Sequence, residues 1–375
     1  VRKLVQDGSH RSNERRLALL NGNQAVAEAV KLAKPDVIAA YPITPQTPVV
    51  EELAKAVASG ELTAEFVNVE SEYSALSLVF GAALTGARVF TATSSHGLAY
   101  MFEMCWWVAG SRVPLVMAVA TRSIGAPWNI HADHSDIMLL RDVGWIIAMA
   151  ESSQECFDLT LLGFPVSEEL NIPYSIGYDA FMISHTSEVV ELRDVEIPER
   201  KQAYKILPGE EISLNAVTVG KARHEARKSL MKDLEKSGKE IEKIGRKMFG
   251  DFSLTEKYRL DDADFVVIIA GGWSGDFKDA IDELREDGIK IGMLRLKFVR
   301  PFPVKDVKKI SGEVLVVDRS AVHRFGGICS DVKTIIPDAK NVIAALGGYD
   351  ISYEEVKMLL ERFVNGKMSE VEWYP

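Results

Sequence analysis

Asp36-Val-Ile-Ala-Ala-Tyr41-Pro-Ile-Thr-Pro-Gln-Thr-Pro48 and, soon after it, Ala64-Glu-Phe-Val-Asn-Val-Glu70-Ser-Glu72 are the stretches that decide the fold. Asp36 to Tyr41 predicts a buried strand, and Pro42, Pro45 and Pro48 forbid it to continue. Ala64 to Val69 predicts a second strand. Ser71 or Glu70 can then cap a helix whose first turn carries Glu72. In open α/β sheets, ligands sit outside the carboxyl ends of the strands, where these two turns are expected to meet.

Working outward, the same alternation runs from Asn21 to about Thr186. Strands are predicted at Val37–Tyr41, Phe66–Val69, Arg88–Thr93, Pro114–Ala120, Trp145–Ala150 and Pro173–Tyr178. Helices are predicted near 22–33, 48–58, 71–85, 97–109 and 153–169. This is the pattern of right-handed βαβ units, hence a parallel sheet covered on both faces. Residues from about 187 to 215 lose the rhythm and read as a connector. Lys221 to Phe249 carries charges of both signs with apolar residues at Leu230, Met231, Leu234, Ile241, Ile244 and Met248, which predicts an amphipathic helix. A second α/β unit opens at Asp264 and continues through Lys290–Leu296, Val314–Asp318 and Lys340–Gly348. The expected organisation is an N-terminal arm (1–20), a first α/β domain (21–195), a connector with an amphipathic helix (196–258) and a second α/β domain (259–375).

The chain has 375 residues, enough for two or three cores, with 47% hydrophobic and 26% charged residues. A net charge of −10 argues against a nucleic-acid partner, which calls for a clustered basic face. Cys105, Cys156 and Cys329 lie far apart without a C-x-x-C spacing, so neither a zinc nor an iron–sulfur site is expected, and the expected setting is a reducing cytoplasm. No signal peptide is read at the polar, basic start. Apolar runs such as Val113 to Ala120 are too short to span a bilayer, so no membrane association is expected.

Glu72 has two readings. It is a capping or dipole-stabilising group, or it is a carboxylate in a dry cleft that trades a proton with a ring nitrogen of a cofactor. Thr91-Ala-Thr-Ser-Ser95-His96-Gly97 places small hydroxyl residues between a strand and a helix, able to hold a polar ligand or serving only helix entry. The helix from Leu98 to Gly110 is apolar nearly all round and is to be buried in the core or against a partner subunit. Arg122 stands at the end of a buried strand with donors for an anionic oxygen pair, or it forms an ion pair with an aspartate downstream. His131, His134, Asp133 and Asp136 have spacings that could suit a metal on a helix, but Pro127 and Asn129 predict a loop there, and no metal is expected. Asp142, Trp145 and His185 have ordinary core and turn explanations. Gly271-Gly272 follows a strand without a full G-x-G-x-x-G and reads as a tight turn.

Several segments together resemble the α subunit of the 2-oxoacid:ferredoxin oxidoreductases. They are Tyr41-Pro-Ile-Thr-Pro, Glu70-Ser-Glu-Tyr-Ser-Ala, Phe90-Thr-Ala-Thr-Ser-Ser-His-Gly-Leu, Arg141-Asp-Val-Gly-Trp, Asp179-Ala-Phe-Met-Ile-Ser-His-Thr, Leu294-Arg-Leu-Lys-Phe-Val-Arg-Pro-Phe-Pro and Val317-Asp-Arg-Ser. The likeness runs in one order from about residue 20 to the C-terminus. Met104-Cys-Trp-Trp and Gly125-Ala-Pro-Trp-Asn-Ile resemble the pyruvate enzymes in particular.

The resemblance implies a thiamine pyrophosphate (TPP) binding, pyrimidine-type parallel-sheet domain followed by a transketolase-C-terminal-like α/β domain. It implies cleavage of a 2-oxoacid, transfer of the acyl group to coenzyme A and passage of electrons to ferredoxin. By the same carry-over Glu72 hydrogen-bonds the aminopyrimidine and promotes ylide formation, and Ile43, Ser95 and His96 line the cofactor. Thr44, Arg122 and His131 then meet the substrate. The diphosphate and Mg2+ sites are implied on a β subunit, and [4Fe-4S] clusters on γ and δ subunits or their equivalents. Consistently, the sequence has no Gly-Asp-Gly plus Asn signature and no cysteine cluster. His96 stands where glutamine is usual, and His131 where pyruvate enzymes often have tryptophan. Oxalate-cleaving relatives carry arginine in place of Thr44, which argues against oxalate. Alternatives are a branched-chain or aryl-glyoxylate 2-oxoacid, a non-catalytic docking subunit, or a non-oxidative transketolase-like enzyme, the last disfavoured by the missing diphosphate half.

Overall fold

The computed structural model describes residues 16–193, 195, 197–198, 219–349 and 351–374. Its strands, in chain order, are β1 (Arg16–Leu20), β2 (Val37–Ala40), β3 (Glu65–Asn68), β4 (Val89–Thr93), β5 (Val116–Thr121), β6 (Ile146–Met149), β7 (Tyr174–Asp179) and β8 (Glu188–Leu192). They continue with β9 (Thr255–Tyr258), β10 (Phe265–Ile269), β11 (Ile291–Leu296), β12 (Phe298–Arg300), β13 (Glu313–Asp318), β14 (Lys340–Ala344) and β15 (Val371–Tyr374).

A seven-stranded sheet has the order β12-β6-β7-β5-β4-β2-β3. Its strands run parallel, save that β12 is antiparallel to β6. The central strands β5 and β7 are buried at every position, the condition of a parallel sheet with helices on both faces. Local chemistry sets the helix ends. Asn21 and Gln24 form a capping box at the start of helix Gly22–Ala33, and Lys34 in the left-handed region (φ 51) ends it. Pro48 sits in the first turn of helix Thr47–Ala58, where its missing N–H costs nothing.

The second sheet has six strands in the order β15-β14-β13-β10-β11-β9, with only β9 antiparallel to its neighbour. Side chains alternate across it. Val266 and Ile268 join the same core as the first sheet. Val267 and Ile269 pack instead with Phe277 and Ile281 of helix Ser274–Glu286 and Leu360 and Phe363 of helix Tyr353–Val364. The two sheet units therefore share one core across their seam, while the other face of the second sheet has a core of its own. Among the described residues no helix is long and apolar enough to cross a membrane.

The structure departs from the sequence reading in four places. The helix read through 97–109 is two, Ser95–Tyr100 and Phe102–Gly110. Residues 16–20, read as part of an arm, form β1, which pairs antiparallel with β8 inside the stretch read as a connector. The remainder of the arm and residues 199–218 of the connector lie outside the described residues. Residues 298–300 leave the second sheet and complete the edge of the first. The helix read through 221–249 is two, Gly220–Lys236 and Gly238–Phe249. They part at Ser237, whose hydroxyl donates to the Leu234 carbonyl, and a Cβ on Gly238 would stand 2.8 Å from Leu254 Cδ1.

Buried charge closes the seam between the units. The Asp179 carboxylate, at the end of β7, accepts from His134 Nε2 (2.8 Å), Arg319 Nη1 (3.1 Å) and the Gly272 N–H (2.6 Å). Burial alone would raise this carboxyl, but the Arg319 guanidinium and His134 hold it well below the usual range. Arg295, on β11, is 1% exposed and meets Glu151, Glu155 and Glu256. Burial would raise Glu155 too, but Arg295 holds it down at about 2.

Arg295→Met should leave Glu155 buried with only Lys297, at 3.4 Å, as a cation and lower stability by about 3–5 kcal/mol. With its pKa depressed in the fold, Glu155 stabilises above its ordinary 4.5, and the contribution is lost as pH falls towards about 2. Urea midpoints at pH 6 and pH 3 should therefore converge in Arg295→Met relative to the unaltered protein; equal pH sensitivity in both would contradict the assignment.

Candidate active site

Strands β5, β4, β2 and β3 are neighbours, so the turns that follow them gather at one edge of the sheet. After β3, Ser71 caps helix Glu72–Leu84 by accepting from the Ser74 N–H at 3.2 Å. The capping role thus falls to Ser71, while Glu72 occupies the first turn and is 8% exposed. Among the described residues its carboxylate makes no hydrogen bond, and its oxygens, unlike the Thr93 and Ser94 hydroxyls, are not closed off from solvent, so a ligand can reach it.

The turn after β4 presses against this carboxylate. A Cβ on Gly97 would stand 2.5 Å from Thr93 Oγ1 and 2.7 Å from Glu72 Oε1. Only glycine permits that approach. The Thr93 and Ser94 hydroxyls are buried and also without partners. A carboxylate and two hydroxyls left unspent in one place fit a flat heterocycle carrying both donors and acceptors.

Arg122 follows β5 and is 4% exposed. Its Nη1 donates to the Thr44 carbonyl, its Nη2 lies 3.3 Å from His96 Nδ1, and the Trp128 ring lies 5.6 Å from its Cζ. Its Nε is buried without a partner. The aspartate downstream does not pair with the guanidinium. Asp136 instead accepts backbone N–H groups from Ser95 (2.8 Å), Arg122 (2.9 Å) and Ile137 (2.7 Å). Burial pushes its carboxyl up to about 8 against the pull of those donors. Burial likewise lowers the Arg122 pKa, with Asp136 opposing.

His96 sharpens the picture. Its Nε2 accepts from the Gly125 N–H at 3.2 Å, so a neutral ring carries its proton on Nδ1. Nδ1 then donates to Ser95 Oγ at 3.1 Å, and Ser95 Oγ in turn donates to the Ser123 carbonyl. A protonated Nδ1 cannot also accept from Arg122, which leaves Nη2 free for an anionic oxygen.

The structure thus brings Thr44, Ser95, His96 and Arg122 together, with half-buried Ile43 beside Thr44 and Glu72 at the neighbouring strand end. What Arg122 reaches on Thr44 is the carbonyl. His131 is not part of the cluster. Its ring lies 5.4 Å from Phe181 and lines a cavity of roughly 450 Å³ with Arg319, Trp273 and Tyr349 between the two units. His134 serves Asp179, and Asp133 accepts from Ser135 and Gly347; among the described residues no group of three or more metal-ligating side chains converges. Gly271 takes the tight turn expected of it, at φ 88. Sequence reasoning missed Asp136 as the anchor and Trp128 as the cover of Arg122. Asp136 had a signal, a short carboxylate in a loop flanked by donors, but not which N–H groups it would meet.

Comparison with known proteins bears on the fold and the family. A family model described as pyruvate flavodoxin/ferredoxin oxidoreductase, thiamine diP-binding, matches residues 28–246. Another, described as pyruvate:ferredoxin oxidoreductase core domain II, matches residues 263–356. The pyruvate synthase subunit PorA of Methanothermobacter thermautotrophicus is 40% identical over 374 residues, covering 95% of this chain and 97% of its own. The ketoisovalerate oxidoreductase subunit VorA of Pyrococcus abyssi is 39% identical over 382 residues, with the same coverage. A solved 2-oxoglutarate:ferredoxin oxidoreductase from Magnetococcus marinus, with 2-oxoglutarate, coenzyme A and succinyl-CoA bound, superposes with a TM-score of 0.74 at 20% identity. That match covers 93% of this chain and 65% of the other, and it speaks for the fold alone. A split-gene transketolase shares the fold more distantly, with a TM-score of 0.57 at 12% identity, covering 93% of this chain and 99% of its own.

Asp136→Ala should strand three backbone N–H groups and cost on the order of 3 kcal/mol or more. Chemical denaturation reads this directly, and an unchanged midpoint would remove Asp136 from its anchoring role.

Proposed function

The chain belongs to the pyruvate:ferredoxin/flavodoxin oxidoreductase family, and from that premise we propose that it is the α subunit of a coenzyme A-dependent enzyme. The reaction converts a 2-oxoacid and coenzyme A into an acyl-CoA and carbon dioxide, releasing one proton and two electrons to ferredoxin. The observation that carries the reading is a pair of groups at the carboxyl edge of one sheet: the Glu72 carboxylate after β3 and the Arg122 guanidinium edge after β5.

TPP, when bound, supplies the carbon nucleophile and electron sink for decarboxylation. In this reading Glu72 takes and returns a proton at the aminopyrimidine ring. The Thr93 and Ser94 hydroxyls, with Ile43, Ser95 and His96, shape the ring's surroundings. Arg122 holds the substrate carboxylate through Nη2, with the Thr44 hydroxyl beside it, and its partial desolvation strengthens that charge-assisted bond. A β subunit holds the diphosphate and Mg2+, γ and δ subunits or their equivalents carry the iron–sulfur clusters, and the reducing cytoplasm is the setting. In this reading residues 21–195, completed at the sheet edge by residues 298–300, make the pyrimidine-type domain, and the rest of 259–375 makes the second.

Pyruvate is the substrate we favour, from the likeness of Gly125-Ala-Pro-Trp-Asn-Ile to the pyruvate enzymes. A branched-chain 2-oxoacid is the second reading, because a ketoisovalerate oxidoreductase subunit matches at 39% identity against 40% for a pyruvate synthase subunit.

The test is dye reduction by the co-purified complex with coenzyme A and a panel of 2-oxoacids. Glu72→Ala should lower kcat by about 10²–10⁴-fold while the complex still assembles; normal turnover would end its assigned role. Arg122→Ala should raise KM for the 2-oxoacid between about tenfold and about a hundredfold, as expected for a bond worth about 1.5–3 kcal/mol. An unmoved KM would show that the substrate carboxylate lies elsewhere.

A further inference from the structure

The loop from Ser123 to His131 touches both units. On its inner side the Gly125 N–H meets His96 Nε2 at 3.2 Å, and Trp128 covers Arg122 at 5.6 Å. On its outer side it rests on the turn after β14. Asn129 Nδ2 donates to the Gly347 carbonyl at 2.9 Å. The same amide's Oδ1 accepts from the His131 N–H (2.9 Å) and the Ser123 hydroxyl (3.0 Å), so one side chain ties the loop to itself and to the second unit.

That turn has no side chains to spare. Gly347 and Gly348 lie at φ 63 and φ 67, in the region that favours glycine. A Cβ on Gly347 would stand 2.5 Å from Asn129 Nδ2, and one on Gly348 would stand 2.2 Å from the His131 Cβ. On this side the loop is braced by the His131 ring, which packs on Phe181 at 5.4 Å, and Phe181 stacks on His185 at 5.0 Å.

We propose that the Gly347-Gly348 turn of the second unit is a positioning element. It sets how closely the loop closes over Arg122 and thereby which acyl chains fit beside the substrate carboxylate. The proposal rests on Arg122 as the carboxylate-binding group. Neither glycine touches the substrate; both act through Asn129 and His131 on Gly125 and Trp128. A shift of about 1 Å at a reacting centre can cost about 10²-fold in rate, so a small change in the turn is enough to read.

The experiment compares Gly348→Ala and Asn129→Ala with the unaltered chain in the full assembled complex. It measures kcat and KM for pyruvate and for 2-oxoisovalerate, together with TPP affinity and Tm. The expected result is a change of about tenfold in the ratio of kcat/KM between the two acids for Gly348→Ala, carried mainly by KM, and about threefold or more for Asn129→Ala. TPP affinity should not move. If Gly348→Ala fails to assemble, Asn129→Ala decides alone. A ratio within about twofold of the original, or a loss of kcat equal for both acids, overturns the proposal. Arg122→Ala separates the layers: if it raises KM for both acids while the ratio stays fixed in the other variants, only the positioning role falls. If it leaves KM unmoved, the underlying site reading falls with it.

Discussion

One carboxylate holds the two halves of this molecule in register. Asp179 ends the buried strand β7 and receives His134 from the loop beyond β5, the Gly272 N–H from the turn after β10, and Arg319 from the end of β13. An anion so deeply buried is tolerable only because three donors from three segments converge on it. Arg319 Nη2 donates to the carbonyls of Ala132 and Ala345, while its Nε is buried without a partner. The loop that frames Arg122 and the turn that supports that loop are thus fastened to one point.

Around that fixed frame the site follows a simple division. Polar groups that shape the backbone are satisfied within the chain: Asp136 by three N–H groups, Ser71 by the helix it caps, Ser95 by the Ser123 carbonyl. Glu72, the Thr93 and Ser94 hydroxyls and one edge of Arg122 are left unspent. A fold tolerates such deficits where another molecule completes them. The deficits also differ in kind. An acid beside hydroxyls suits proton exchange with a ring, and a half-buried cation suits an anionic oxygen.

Much of this was legible in the sequence because it is local. The strands of the first sheet and the helices between them follow from apolar runs bounded by proline, glycine and capping residues, and their observed limits differ from the expected ones by a few residues. Arg122 was readable as a residue of the wrong polarity at the end of a buried strand, and Glu72 as a carboxylate in the first turn of an apolar helix. The rest was not local. β1 and β8 form a two-stranded ribbon in which Val190 is buried and Leu20 and Leu192 pack on the core while Leu17, Leu19 and Val189 face outward, so apolar residues on both faces hide the alternation. Nothing near Phe298 states that its partner is Ala148. Leu230, Leu234 and Ile241 keep one helical phase across Ser237, which hides the break. His131 sits in a segment rich in site residues, and only the packing of Phe181 shows that its ring faces the other unit.

The placement of β12 has a consequence for how the molecule comes into being. β6 is made about 150 residues before the strand that covers its edge, since Ile147 pairs with Arg300. During synthesis the first sheet therefore waits with a bare flank, its N–H and C=O groups open to any extended chain nearby, until the ribosome has delivered about the first third of the second unit. Completion of the first sheet is timed by translation of the second, and a chain released early carries an adhesive edge that marks it as unfinished.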